Sequence, residues 1–386
     1  MNHKKNIQAF PSLDMRNLFR LPVHRDPVLS GKRIRFYASG RAALFHTVKS
    51  LSLPTGSVVL LPAYNCGVEA EAVLRAGYKV DFYRVNKDLT IDSDHIDEKI
   101  TLRTKVIFVP HYFGFPQNMS SLKELTCESD IVVIEDCAHA LYSQNGKGEW
   151  LGTEGDFGLF SMRKTVSMSN GGAILVNRRD FAMPGKGKRY FNLSLLKLTL
   201  KSILENEQSR GGTVSDISRG LLSFYKKYIS KPGSLPELSA VENSRWYYDV
   251  PLLDYGNDIS ALSLFCSGKE DCQEIIEHRR KNYESLTENL RAHCAEDCVF
   301  TELPNGTCPL CLPLLVKRRD VIADRMASAG VEPYVFGRHP HPLVNKDEFP
   351  GLKNLADSII GLPVHQQLTR EDMKTVADTF IRSRER

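Results

Sequence analysis

Lys164 lies in the stretch GDFGLFSMRKTVSMSNGGAILVN (155–177), between an apolar run that ends at Phe160-Ser161 and a second run, AILV, that Gly171-Gly172 opens. A lysine in a loop between two buried strands differs from one on a helix face. Partial desolvation favours its neutral amine, and a neutral amine is a nucleophile. A solvated loop charge is the commoner fate of a lysine, so the reading depends on what else converges there. Asp136 ends the apolar stretch IVVIEDCA, where a carboxylate is costly to bury without a positive partner. Alternation sends Glu135 and Asp136 to opposite faces, so one of the two lines a site. His139, three residues on, is placed to bond Asp136 or a ligand. Ser39-Gly40 opens a helical pattern; free N–H groups and the positive end of the helix dipole gather there, a geometry that holds phosphate as well as an ordinary cap. A helix start for a phosphate, a strand-end Asp for a ring nitrogen and a loop lysine 28 residues later for an imine form an ordered set. A buried Asp facing a pyridinium keeps that nitrogen protonated, which is the electron sink pyridoxal phosphate needs.

The elements that must position these residues alternate. RAALFHTVKSL reads as a helix with Ala42, Leu44, Phe45, Val48 and Leu51 on its apolar face. SVVLLPA, YKVDFYRV, KVIFVPHYFG, IVVIEDCA, GDFGLFS and GAILVN read as strands, with VEAEAVLRAG, DSDHIDEKI and MSSLKELTCE as helices between them. Such interleaving implies crossover connections and a mostly parallel sheet covered on both faces. Ligands then sit beyond the carboxyl ends of the strands, at Tyr64-Asn65, His111-Tyr112, Glu135-Asp136 with His139, and Ser161 to Lys164. Residues 1–38 read as a polar lead-in. Residues 178–250 break the alternation, with SLLKLTLKSILEN and GGTVSDISRGLLSFYKKYIS as candidate amphipathic helices. Beyond them, one long helix is expected from about Ile259 to Arg291. CPLCLPLLV, VEPYVF and IIGLPVH follow as strands, RDVIADRMASAG as a helix, and LTREDMKTVADTFIRSR as a last helix capped by Thr369.

A chain of 386 residues exceeds one small core. Its 42% hydrophobic and 25% charged content is that of an ordinary globular protein. The net charge of +5 is concentrated between Arg178 and Pro232, where 12 lysines and arginines face 4 acids, so the rest is slightly acidic. That is not the footprint of a nucleic-acid binder; the basic segment reads as a solvated face, or as a lid toward phosphate-bearing substrates or an anionic surface. No secretory signal and no transmembrane run is expected. Nine irregularly spaced cysteines argue for a cytoplasmic protein with reduced thiols. Cys294, Cys298, Cys308 and Cys311 have zinc-ribbon-like spacing, but the last two fall in an apolar stretch and read as core thiols, so no metal is expected.

SGRAAL, LLPAYNCGVEAEAVLRAGYKVDFYRV, IVVIEDCAHA, GDFGLFSMRKTVSMSNGGAILVN and IIGLPVHQQLTREDM resemble the DegT/DnrJ/EryC1/StrS aminotransferases over roughly 36–177 and 259–386. The resemblance implies a fold-type I pyridoxal-phosphate enzyme of α/β class. Its large domain (39–258, with 178–250 as an insertion or lid) would hold a mostly parallel mixed sheet covered by helices, and 259–386 a smaller α/β domain. Lys164 would form the Schiff base and move protons as base and acid. Asp136 would face the pyridine nitrogen and His139 would lie beside the cofactor. Gly40, Arg41 and Ala42 would hold the phosphate with Ser161, and Arg163 would balance its charge. The chain also departs from the family. Ser161 and Lys164 are three residues apart where five are usual, and Cys66 stands where an aromatic residue commonly stacks on the ring, with Tyr64 as a substitute. Asn257, the counterpart of a residue that reaches the partner subunit's phosphate, lacks the family's nearby arginine. The implied reaction carries an amino group from a donor such as glutamate to a keto sugar, nucleotide-linked, for surface polysaccharide or a secondary metabolite, in a homodimer. A cyclitol ketone as acceptor and a cofactor-binding regulator with little turnover are the alternatives. A dehydratase is disfavoured because its branch replaces the lysine with histidine.

Overall fold

The computed structural model describes residues 6–13, 19–21, 26–188 and 255–385, with a few separate positions between 203 and 223. Both helices expected within 178–250 lie outside the continuous described stretches. The first half runs β1 (Ile34–Tyr37), α1 (Gly40–Ser50), β2 (Val58–Pro62), α2 (Val68–Arg75), β3 (Lys79–Tyr83), α3 (Ser93–Lys99), β4 (Thr104–Pro110), α4 (Met119–Thr126), β5 (Val132–Asp136), β6 (Phe157–Phe160) and β7 (Gly172–Val176). These strands form one sheet in the order β1-β7-β6-β5-β4-β2-β3. β3, β2, β4, β5 and β6 are mutually parallel, and β7 and β1 close that edge antiparallel. Register sets Pro110 opposite Asp136 and Asp136 opposite Leu159, so the polar ends of β4, β5 and β6 share one edge.

The second half contributes α5 (Ala261–Ser267), α6 (Cys272–Cys294), β8 (Cys311–Leu315), α7 (Arg319–Ser328), α8 (Leu352–Ser358), β9 (Ile359–Pro363) and α9 (Arg370–Glu385). β8 and β9 pair antiparallel, and α6 and α7 pack on α9. One apolar cluster runs from Val59 and Ile134 in the large sheet through Tyr283 to Leu312 and Phe380. Phe115 and Phe300 stack across it with centroids 3.7 Å apart.

Three expectations change. The helix expected over 259–291 is two helices: the chain breaks after Gly268, and Asp271 restarts it by accepting from the Gln273 and Glu274 N–H groups (2.7 and 3.3 Å). VEPYVF is not a strand; among the described residues its ladder pairing is confined to the isolated bridges Ile7–Val331 and Tyr334–Gly361, because Pro333 has no N–H to extend a ladder. Ile34–Tyr37, inside the expected lead-in, is the edge strand β1. Further upstream, Ile7 N–H donates to Gly330 O (2.9 Å) and Ile7 O accepts from Glu332 N–H (2.8 Å), seating residues 6–13 on the C-terminal half. Thr369 and Asp372 do form a reciprocal cap on α9, each side chain accepting from the other's N–H. No helix among the described residues is long and apolar enough to cross a membrane.

Candidate active site

Lys164 closes a 3₁₀ turn, Met162–Lys164, that begins directly after β6 with Ser161 as its cap. Residues three apart eclipse in such a turn, which gives the shortened Ser161–Lys164 spacing a path that keeps both on one side. The backbone behind the lysine is tied down. The buried Arg279 of α6 donates to Lys164 O (3.1 Å) and Thr165 O (3.3 Å), and Gln366 Nε2 donates to Thr165 O (2.9 Å). Glu270 accepts from both the N–H and the hydroxyl of Ser167 (2.7 and 2.9 Å).

Glu135 and Asp136 point to opposite faces. Glu135, fully buried, accepts from His111 Nε2 (3.0 Å) and from the N–H groups of Gly152, Glu154 and Gly155. It organises the loop before β6. Among the described residues, His111, Glu135 and Cys137 are the one group with metal-like proximity. His111 Nδ1 already accepts from Gln117 N–H (3.0 Å), so its Nε2–H serves Glu135. Asp136 lines the other face, where Oδ1 accepts from the Ala138 N–H (2.9 Å). Burial, and then the Glu69 carboxylate, push its pKa up to about 7, against the pull of the Ala138 N–H and of Lys164. Such a carboxylate calls for a cation, and a protonated pyridine nitrogen is one.

His139 is buried, and burial together with Lys164 holds its pKa well below the ordinary value. Its ring stacks on Phe113 (5.4 Å, 18°). Nδ1 accepts from the Phe113 N–H (3.3 Å) and Nε2 meets the Tyr334 hydroxyl at 3.0 Å. Lys164 Nζ reaches the same hydroxyl at 3.2 Å.

The N-terminus of α1 faces Ser161, since a Cβ on Gly40 would stand 3.6 Å from Ser161 Cβ. Ala42 is a correction: its N–H donates to Ser39 Oγ (3.2 Å), the ordinary cap, so that N–H is not open to a phosphate. Gly172, at the start of β7, lies under this turn, and a Cβ there would run into the Ser39 carbonyl. Gly172→Ala is therefore expected to lower stability by about 1–3 kcal/mol, read as a shifted denaturant midpoint, and to weaken cofactor binding with it. An unchanged midpoint would mean that the turn and β7 separate at no cost.

Tyr64 does not provide a stacking face. Its ring is fully buried between Tyr112 and Phe336, its hydroxyl donates to Phe336 O (3.0 Å), and Gly337 closes over it. Cys66 donates its S–H to Glu69 (3.1 Å), and Lys164 lies close enough to act on its charge. Asn257 meets the site by its backbone, its carbonyl accepting from the Ala38 N–H (3.0 Å) beside the phosphate turn. Tyr334, Arg279, Gln366 and Glu69 were not anticipated. Glu69 alone had a local signal, an acid in the first turn of a helix at a strand's carboxyl end.

The fold has close parallels among solved structures. The aminotransferase TlmJ from Streptoalloteichus hindustanus superposes with a TM-score of 0.66, covering 98% of each chain at 21% identity. The mixed sheet is that of the fold-type I, pyridoxal-phosphate-dependent transferases, and it brings lysine, strand-end aspartate and helix start to one edge. The model of the DegT/DnrJ/EryC1/StrS aminotransferase family matches residues 36–184. That stretch holds every expected cofactor contact except Asn257. The dTDP-4-dehydro-2,3,6-trideoxy-D-glucose 4-aminotransferase of Saccharopolyspora spinosa is 24% identical over 375 residues, 90% of this chain and 84% of the relative. The L-glutamine:2-deoxy-scyllo-inosose aminotransferase of Streptomyces kanamyceticus is 32% identical over 141 residues, 36% of this chain and 33% of the relative.

Proposed function

We propose that this protein moves an amino group from an amino acid, glutamate first among donors, to a nucleotide-linked keto sugar, in the synthesis of surface polysaccharide or a secondary metabolite. The observation that carries the reading is the convergence of Lys164, the buried Asp136 and the Gly40–Ser161 turn on one sheet edge. When bound, pyridoxal phosphate supplies a ring that takes up the electron pair left as a neighbouring carbon loses its proton. Gly40, Arg41 and Ser161 would hold its phosphate. Asp136, ionised against the ring nitrogen, would keep that nitrogen protonated. Lys164 Nζ, released by the incoming amine, would take the proton from the donor's α-carbon and deliver it to the cofactor carbon on the other side of the amino nitrogen. Acceptor chemistry repeats these roles in reverse. Asn257, one residue from the phosphate turn's support, is our candidate for reaching a second subunit in a homodimer.

The nucleotide-linked ketone named for the Saccharopolyspora relative supports the acceptor class. The inosose named for the Streptomyces relative supports a carbocyclic ketone as the second reading. Protein reconstituted with pyridoxal phosphate is expected to develop a visible absorption band, with Lys164→Ala as the blank, and glutamate is expected to bleach it. No band would sink the proposal, and a band that glutamate leaves intact would leave a binder without turnover. Offering keto-sugar nucleotides and inososes to the bleached protein then distinguishes the two acceptors by which one restores the band.

A further inference from the structure

We propose that Tyr334 is a positioning residue for the proton that Lys164 carries, and that Phe113 and His139 fix which way its hydroxyl faces. The inference rests on Lys164 being the amine of the reaction proposed above.

The chain of contacts begins in the backbone. Phe113 has φ 55° and ψ 16°, a left-handed conformation that is unfavourable for a bulky residue. It is held there from three sides. Its carbonyl accepts from the Leu310 N–H (2.8 Å), its ring stacks on His139, and the following Gly114, also at positive φ, abuts Cys308 O so closely that a Cβ would collide. The conformation aims the Phe113 N–H at His139 Nδ1. An N–H can only donate, so Nδ1 is the acceptor and, in the neutral ring that burial favours, the hydrogen sits on Nε2. Nε2–H then donates to the Tyr334 oxygen at 3.0 Å.

That bond takes one lone pair of the phenol, and Lys164 Nζ meets the same oxygen from 3.2 Å away. The hydroxyl can thus donate to the neutral amine and accept from the ammonium. When Nζ takes the proton from the donor's α-carbon, the new N–H would be received by Tyr334 Oη; when Nζ gives it up at the cofactor carbon on the other side of the amino nitrogen, the O–H would turn back toward the amine. Tyr334 keeps its own hydrogen throughout, so Nζ is the atom that gains and loses a proton. The Tyr334 ring is seated independently of its hydroxyl, against Phe10, Phe113 and Phe336. Its neighbour Gly361 pairs with it through both backbone bonds, at 2.7 and 2.8 Å.

Tyr334→Phe keeps the ring contacts and removes only the oxygen, and two readouts follow. In cofactor-free protein, the rate at which acetic anhydride labels Lys164, followed by peptide mass spectrometry across the alkaline range, has a midpoint set by Nζ protonation. Among the described residues, Asp136, Cys66, His139 and Cys311 are titratable groups coupled to the charge of that amine, and all remain in the variant. Loss of one hydrogen bond to the charged form is expected to lower the midpoint by about one pH unit, a tenfold effect. In loaded enzyme, the first half-reaction with glutamate is expected to slow by about tenfold or more at nearly unchanged KM, with a larger isotope effect for α-deuterated glutamate. An unmoved labelling midpoint, or a loss confined to KM, would overturn the inference. The labelling needs no cofactor, so a moved midpoint in a protein that forms no absorption band would uphold the Tyr334–Lys164 coupling while sinking the aminotransferase reading.

Discussion

Asp136→Asn is expected to cut turnover by about 10²–10³-fold while making the cofactor-free protein more stable at pH 8. On the proposed reading, the loss of rate follows from removing the negative charge that would hold a ring nitrogen protonated, an electrostatic contribution of about 3–4 kcal/mol. The gain in stability follows from burial. In an unfolded chain an Asp titrates near ~3.9; in the folded, cofactor-free protein Asp136 titrates at about 7. Between those values the folded state holds a proton that the unfolded state has released, so stability falls as pH rises from about 4 to about 7. Above that window the ionised carboxylate costs on the order of 4 kcal/mol, which Asn avoids while still able to accept from the Ala138 N–H. Denaturant unfolding of both cofactor-free proteins at pH 8 and pH 5 checks the sign: the variant's advantage should shrink strongly at the lower pH. A gap that is absent at pH 8, or equal at both, would show that Asp136 already has a compensating charge.

Arg279→Met is expected to destabilise the protein by about 3–5 kcal/mol, enough to lower the melting temperature by on the order of 10 °C. The guanidinium is fully buried and, among the described residues, binds no carboxylate directly. It donates instead to the carbonyls of Lys164, Thr165, Pro309 and Leu310 and to Gln366 Oε1. Replacing a buried charge with an apolar side chain of similar size is sometimes neutral, but here five acceptors would lose their donor. Arg279→Lys keeps the charge without the planar fork and should recover only part of the loss. Calorimetry of the three proteins decides it; a Met variant within about 1 kcal/mol of the parent would mean that water replaces the guanidinium.

The strand-end residues were legible because buried parallel strands read as short apolar runs, and the polar residue that ends each run falls on the binding edge. IVVIEDCA exposed Asp136 in this way, and GDFGLFS exposed Ser161 and Lys164. β1 was hidden because IRFY sits in a polar context and pairs antiparallel at the sheet's edge, outside the strand–helix rhythm. Tyr64 misled because its type suits a stacking role while its burial excludes one, and burial is not written in a tripeptide. Tyr334 and Arg279 carried no local signal at all. Each reaches Lys164 across more than a hundred residues of chain, from segments whose own patterns spoke only of strand and helix.

The seating of residues 6–13 bears on how the protein is made. Phe10 packs edge-on against Tyr334 at 4.8 Å, Gln8 O accepts from His365, and Gln367 holds Ser12. Residues 6–13 leave the ribosome long before the partners that seat them, so they have nowhere to settle while everything between is made. Lys164 likewise emerges before the arginine, the glutamine and the tyrosine that hold it. The surroundings of Lys164 are therefore complete only once the segment that carries Gln366 has been made and has folded back onto the turn.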